Sequence, residues 1–397
     1  MSKEVAEAGI SNLVIIATVD PILRYARQKQ NDIIAFIREL VEQESPSDDG
    51  ASVNRCVEVL IERSRGMARI RTFPGGNFGK HLRLEFDLPG GKKDGQILAL
   101  GHSDTVWPVG TLRSMPFRQA RGRLWGPGVF DMKAGLAFFV FAMRALRDLD
   151  VPVSRKVVLQ VNADEEVGSP SSRALTEEIA KRSAAVLVLE PSADLDGKLK
   201  TARKGVGDYT VTVRGRAAHA GLDFASGASA IVEMARQIER IAGFTRLDRG
   251  ITVSPGVISG GSRSNVVAAE CRAEIDVRVP RASDGKYLAR KFASLRPFDK
   301  HCVIEVSGGL NRPPMERSAG VRKLLRLAQP LAHDVGVELN EASAGGGSDG
   351  NFTAALGVPT LDGLGAVGEG AHASHESILV KRIADRTALV AKLVASL

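Results

Sequence analysis

The sequence predicts an α/β protein in two parts: a large domain built on a parallel sheet, interrupted by a smaller antiparallel-sheet unit. Three observations carry this. Short, wholly apolar runs of strand length alternate with helical patterns through the first half of the chain, as strands covered on both faces require. After about residue 203 the pattern turns to period-two alternation, the mark of half-exposed strands. Beyond residue 312 helical spacing returns and the α/β style resumes. The 397 residues, 44% hydrophobic and 25% charged, are enough for at least one sizeable core and too apolar for a disordered chain.

Residues 21–43 carry apolar positions at helical spacing, and Ser45-Pro46-Ser47 ends that helix. A second helix is predicted over 51–65. Buried strands follow at 96–101 (QILALG), 156–161 (KVVLQV) and 184–189 (AAVLVL), with a strongly apolar helix at 132–149 between the first two. In the middle of the chain the expectation is a strand at 208–215, a helix at 226–242, strands at 250–259 and 266–278, a helix at 283–294 and a strand at 301–307. That is β-α-β-β-α-β, the ferredoxin-like order. An amphipathic helix at 316–336, a glycine-rich turn (AGGGSDG), a strand at 358–361 and a helix from about 380 complete the larger domain. The expected division is 1–202 with 312–397 for the larger domain and 203–311 for the insert.

Composition excludes several classes. The chain has 54 basic and 46 acidic residues, hence +8, but the basic residues are scattered and aromatics are only 5%. Nucleic-acid binding is therefore not expected; a positive field of this size suits acidic small molecules. Cys56, Cys271 and Cys302 form no CxxC pair and no even-numbered framework, so neither a disulfide scaffold nor a cysteine zinc site is expected. The apolar runs at 13–19 and 136–142 are far shorter than the roughly 18 residues of a membrane span. The first ten residues lack the basic start and apolar stretch of a secretory signal. The expectation is a cytoplasmic protein without a membrane partner.

The chemistry lies where charged residues interrupt apolar strands. QILALG runs into His102-Ser-Asp104, KVVLQV into Asn162-Ala-Asp164-Glu165-Glu166, and AAVLVL into Glu190. In open α/β sheets, sites lie beyond the carboxyl ends of strands. One imidazole and five carboxylates gathered there repel one another unless a cation sits among them. Asp131, after a glycine-rich loop, and His372, after Gly-Glu-Gly-Ala, extend the set. Taken singly, each has a plain reading: Asp131 as a helix N-cap, Glu165-Glu166 as a solvated turn, His102 as a core histidine. Together they suit zinc in a hydrolytic role, and more than four good ligands suggests two metals sharing a carboxylate.

GHSDTV, GPGVFDMKAG, NADEEVGS and VLEPS resemble, in order, the motifs of the M20 family of metallopeptidases, with its acetylornithine deacetylases and succinyl-diaminopimelate desuccinylases. The segment AGGGSDGNFTAALGVPTLDGLGAVGEGAHASHE is similar to the C-terminal motif of the glutamate carboxypeptidase (carboxypeptidase G2-like) branch. The resemblance spans nearly the whole chain. It implies a zinc-peptidase-type α/β catalytic domain with an inserted dimerisation, or lid, domain. It further implies two Zn2+ per subunit, for which Co2+ or Mn2+ can stand in: His102, Asp131 and Glu190 at one ion, Asp131, Glu166 and His372 at the other. Glu165 would be the general base, and Asp104 would orient His102 from behind. The motif RGRAAHAG would bring His219 to the partner subunit's active site in a homodimer. Asn265 and Arg278 match positions that bind the transition state and the substrate carboxylate, and Gly345–Gly347, centred on Gly346, a backbone turn close to substrate.

Two features depart from that pattern. Lys198, Lys200, Arg203 and Lys204 crowd what reads as one basic loop, and His375 competes with His372 as the C-terminal ligand, the Gly-Ala-His pattern favouring His372. The expected activity is hydrolysis of an amide beside a free-carboxylate amino acid, on a small-molecule substrate. The alternatives are an N-acyl-amino-acid deacylase and an inactive, metal-dependent amino-acid-binding scaffold. Glu165 argues against the last, since a binder needs ligands but no base.

Overall fold

A computed structural model describes residues 19–397. The first ten residues, and the 13–19 run apart from Val19, lie outside the described residues. The chain opens with α1 (Pro21–Gln28), α2 (Gln30–Glu42) and α3 (Gly50–Ser64), then β1 (Ala68–Pro74), β2 (Lys80–Phe86) and β3 (Gln96–His102). Short strands β4 (Arg118–Ala120) and β5 (Arg123–Trp125) precede α4 (Ala134–Asp148), β6 (Lys156–Asn162), α5 (Arg173–Ala180), β7 (Ser183–Val188) and β8 (Leu199–Arg203). The insert contributes β9 (Gly205–Arg214), α6 (Ala230–Ala242), β10 (Thr252–Gly260), β11 (Glu270–Val279), α7 (Ala282–Ala293) and β12 (Val303–Arg312). The chain closes with α8 (Ala319–Asp334), β13 (Glu341–Ala344), α9 (Gly350–Ala355), β14 (Thr360–Leu361), β15 (Gly368–Glu369), β16 (Ser377–Leu379) and α10 (Ile383–Ser396).

The main sheet has the order β1-β2-β6-β3-β7-β14. Its centre is parallel, as the apolar runs predict, but β1 and β2 join antiparallel, so the sheet is mixed. Helices α1, α2, α4 and α10 pack into one apolar core with Phe36, Ile37, Phe139 and Leu389. On the other face Leu98, Leu100, Val186 and Val188 meet Ile179 of α5. Helix α4 approaches the β7 end so closely that a Cβ on Gly135 would sit 2.2 Å from the Leu189 carbonyl oxygen.

The insert folds around its own core of Val211, Val213, Met234, Ile241, Ala273 and Leu288. Tyr209 stacks on Phe292 with ring centroids 3.8 Å apart. Its sheet, β10-β11-β9-β12, is antiparallel throughout, the ferredoxin-like arrangement.

Three expectations need correcting. The helix over 21–43 is two, broken at Lys29, whose backbone N–H turns back to Tyr25 and Arg27. Asp131 does not open or cap a helix; it lies in a wide turn, Val129–Lys133, with α4 beginning at Ala134. The basic stretch is not a loop: β8 pairs in parallel with β13, and Leu199, Thr201 and Arg203 are buried.

Candidate metal centre

Strand register brings the first residues together. Leu100 lies opposite Val188 and His102 opposite Asn162, so His102 and Glu190, each two residues beyond the Leu100–Val188 pair, emerge side by side. His102 Nε2 is 3.2 Å from Asp131 Oδ1 and 3.5 Å from Glu190 Oε1. His372 Nε2 is 3.4 Å from Asp131 Oδ2 and 3.2 Å from Glu166 Oε2. Two triads result, His102–Asp131–Glu190 and Asp131–Glu166–His372, with ligand atoms within 4.8 Å of one another in each and Asp131 common to both. His372 has φ +60°, an uncommon backbone for a non-glycine residue. His375 belongs to neither triad.

The cluster draws positive charge to itself. Burial works against a charged His102, but hydrogen bonds to Asp104, Asp131 and Glu190 outweigh it and hold the imidazole well above its ordinary range. Hydrogen bonds to Asp131 and Glu166 pull His372 up to about 10. Burial would raise Asp131, but His102 and His372 hold it far below the usual carboxylate range. Burial pushes Glu166 up to about 7 against the pull of His372. Its Oε1 is buried with no hydrogen-bond partner among the described residues, an orphan costly to leave unmatched. A donor set of imidazole nitrogens and carboxylate oxygens, without sulfur and with one carboxylate shared, is chemically suited to a pair of zinc-type dications.

The surrounding residues fix this set. His102 Nδ1 is 2.9 Å from the Asp104 carbonyl oxygen. That oxygen can only accept, so Nδ1 carries the proton and Nε2 is left for the cluster. The Asp104 carboxylate is 3.4 Å from the same ring and accepts the backbone N–H of Glu165 and Glu166 at 3.2 and 3.1 Å. Ser47 Oγ donates to it at 2.7 Å, so the loop after α2 also steadies the centre.

Glu165 stands outside both triads. Burial pushes its carboxyl well above the ordinary range, opposed by Arg312. Arg312 Nη2 donates to Glu165 Oε1 and to the Glu165 carbonyl, both at 2.9 Å, while Nη1 donates to Asp349 at 2.6 Å. Nothing in the sequence marks Arg312 or Asp349 as part of the site. Two further supports carry no sequence signal. The Glu376 carboxylate accepts the backbone N–H groups of Gly128, Phe130 and Asp131 and the Trp107 indole N–H. Arg203 forks onto Asp362 at 2.7 and 2.9 Å, donates to the Gly346 and Gly347 carbonyls and reaches within 3.6 Å of Glu190. The rest of the basic stretch is split: Lys198 pairs with Asp194 and Asp196, while burial and the neighbouring Arg203 push Lys200 down.

A cavity of about 480 Å³ opens between the two parts of the chain, lined by Glu165, Glu166, His372 and Gly346 on one side and by Arg278 and Asp208 of the insert on the other. Its size suits a small-molecule site. Arg278 is tied to Asp276 through Nε and Nη2 at 2.7–3.0 Å. His219 and Asn265 do not line this cavity. They are neighbours of one another: the Ala220 N–H donates to the Asn265 carbonyl. His219 is exposed, and its Nδ1 accepts from the N–H groups of Gly221 and Leu222, which leaves the ring proton on Nε2.

Residues 98–396 match peptidase family M20/M25/M40. Carboxypeptidase G2 of a Pseudomonas species is 27% identical over 403 residues, covering 99% of this chain and 96% of its own length. A succinyl-diaminopimelate desuccinylase of Cereibacter sphaeroides is 30% identical over 309 residues, covering 71% of this chain and 78% of its own. Among solved structures, aminopeptidase PepT from Bacillus cereus superposes with a TM-score of 0.75 at 23% identity, covering 92% of this chain and 98% of that one. A family match across most of the chain sets aside the inactive scaffold: the chain belongs to peptidase family M20/M25/M40 and is an enzyme of its metallopeptidase and amidohydrolase kind.

Proposed function

We propose that the protein is a two-metal hydrolase that cleaves an amide or peptide bond next to an amino acid with a free carboxylate, in the manner of a glutamate carboxypeptidase. One observation carries this reading: of two ligand triads sharing Asp131, the second lines, through Glu166 and His372, a cavity that Glu165 also lines and whose facing wall presents Arg278. His102, Asp131 and Glu190 would hold one ion and Asp131, Glu166 and His372 the other. When bound, such ions polarise a carbonyl and make water nucleophilic at neutral pH.

The chain's own groups do the remainder. Glu165, beside the triads but in neither, takes the proton of the attacking water and hands it to the leaving nitrogen. Arg312 and the Asp104 carboxylate hold Glu165 in place by side chain and backbone. Arg278 exchanges Asp276 for the substrate carboxylate, a task for which its planar fork is suited. The Gly346 backbone borders the same space. His219 donates its Nε2 proton to the oxyanion of the tetrahedral intermediate, and Asn265 assists, both from the partner subunit of a two-fold homodimer. Support for the dimer comes from the insert: edge strand β10 exposes Val257 and Ile258, and Leu222, Phe224, Ile231 and Val232 are exposed as well.

A second reading, N-acyl-amino-acid deacylase, is favoured by the 30% identity to the desuccinylase; the same residues would serve. The test is a panel of short peptides and acyl conjugates ending in glutamate or aspartate, beside N-acylated basic and neutral amino acids, each with and without chelator. Chelator-sensitive cleavage of the glutamate conjugates is expected. Preference for N-acyl groups irrespective of the amino acid would favour the deacylase, and no cleavage of any carboxylate-bearing amide would overturn both.

A further inference from the structure

At the other end of the main sheet, strands β1 and β2 and the last turn of α5 enclose a cavity of about 110 Å³. Gln96 at its rim opens β3, whose last residue is His102, so at ~3.3 Å per residue the cavity lies about 20 Å from the metal centre. Arg69 and Arg71 of β1, Arg83 of β2 and Arg182 beyond α5 line it. Register places Arg71 directly opposite Arg83, and like charges directly opposite on paired strands are destabilising.

Two carboxylates line the same cavity, Glu178 and Glu85, the latter directly opposite Arg69, and they offset the four guanidinium charges only in part. Glu178 is taken by Arg182 at 2.7 Å, and Glu85 lies 3.8 Å from Lys156. Arg69 and Arg71 have no ion-pair or hydrogen-bond partner among the described residues. Arg83 is half-buried over the Phe73 ring, 4.5 Å from its centroid, and its Nε and Nη2 reach only the neutral Gln160 Oε1, at 3.3 and 2.8 Å. Charges on an edge strand commonly discourage pairing with other chains. That purpose is met by charges pointing outward. It does not require a half-buried arginine beside a second one in the lining of a cavity with room for several waters.

We propose that this pocket is a binding site for a free tetrahedral oxyanion of the phosphate or sulfate type. Guanidinium forks on Arg69, Arg71 and Arg83 supply the charge-assisted donors such an ion takes, and the ion relieves the Arg71–Arg83 opposition. The site owes nothing to the metal centre, and its occupancy would tie the sheet edge to α5.

The test is equilibrium dialysis of the full chain with radiolabelled sulfate, competed by inorganic phosphate, at an ionic strength fixed with chloride. One saturable site per chain is expected. The double variant R69S/R71S, at two exposed positions, should weaken it at least about tenfold, and R83K should weaken it while keeping the charge. R24S/R27S removes the same charge from exposed positions of α1 and should leave binding as in the parent. Hydrolytic activity should be the same in the parent and in both serine pairs. No saturable binding by the parent, or equal losses in the two serine pairs, would overturn the proposal.

Discussion

Glu376 and Asp131 are joined through the backbone: Glu376 Oε1 accepts the Asp131 amide N–H at 3.0 Å. The same carboxylate holds Gly128, Phe130 and the Trp107 indole, and it lies four residues after His372. It therefore fastens together the loops that carry two of the candidate ligands. Glu376→Gln replaces one acceptor oxygen by a donor facing N–H groups. We expect a loss of about 1–3 kcal/mol in stability and roughly ten- to a hundredfold in metal affinity. Denaturant unfolding with chelator reads the first, and competitive metal titration the second. Unchanged metal affinity would remove Glu376 from this role.

Glu165 and Glu166 are adjacent in sequence, and the proposed function gives them separate duties. Glu165→Gln should keep metal binding and lose several powers of ten in kcat, because the water loses its proton acceptor. Glu166→Gln should weaken metal binding itself. Metal titration beside kcat distinguishes them; a Glu165→Gln enzyme that keeps most of its turnover contradicts the assignment.

The residues that sequence made legible share one property: they sit where a regular pattern breaks. His102, Glu165, Glu166 and Glu190 interrupt apolar strands, and parallel register then brings His102 and Glu190 level. The insert was legible for the same reason, since its strands alternate cleanly. What stayed hidden depends on partners far away in the chain. Arg312 meets Glu165 across 147 residues and Arg203 meets Asp362 across 159, and an arginine at a strand end looks the same whether solvated or buried. The basic side chains of β8 masked a period-two burial that runs through Leu199, Thr201 and Arg203. Lys29 breaks the first helix without glycine or proline to announce it.

Arg312 is buried between Glu165 and Asp349. Removing one member of a buried ion pair strands the others, at a cost of about 3–5 kcal/mol. Arg312→Ala should lose stability on that scale and lower kcat by roughly a hundredfold, consistent with general-base catalysis losing its geometry. Arg312→Lys should recover part of both. Urea denaturation and kcat at saturating substrate check this; an alanine variant with unchanged kcat would detach Arg312 from Glu165's function.

His219 does not line the cavity of its own chain, and the role proposed for it is played from a second subunit. Inactive His219→Ala chains mixed with inactive Glu165→Gln chains should regain part of the activity. Some mixed dimers then pair an intact Glu165 site with an intact partner histidine. No recovery after verified subunit exchange, or a monomer in solution, contradicts an action across the interface.

In the proposed function, the two triads sharing Asp131 form a working two-metal site. Elemental analysis of the purified chain, joined to activity before and after chelation and after return of zinc, tests it most directly. The expected result is two zinc-type ions per chain, activity abolished with their removal and restored with their return. A chain free of such metal that hydrolyses its substrate undiminished in chelator would contradict it.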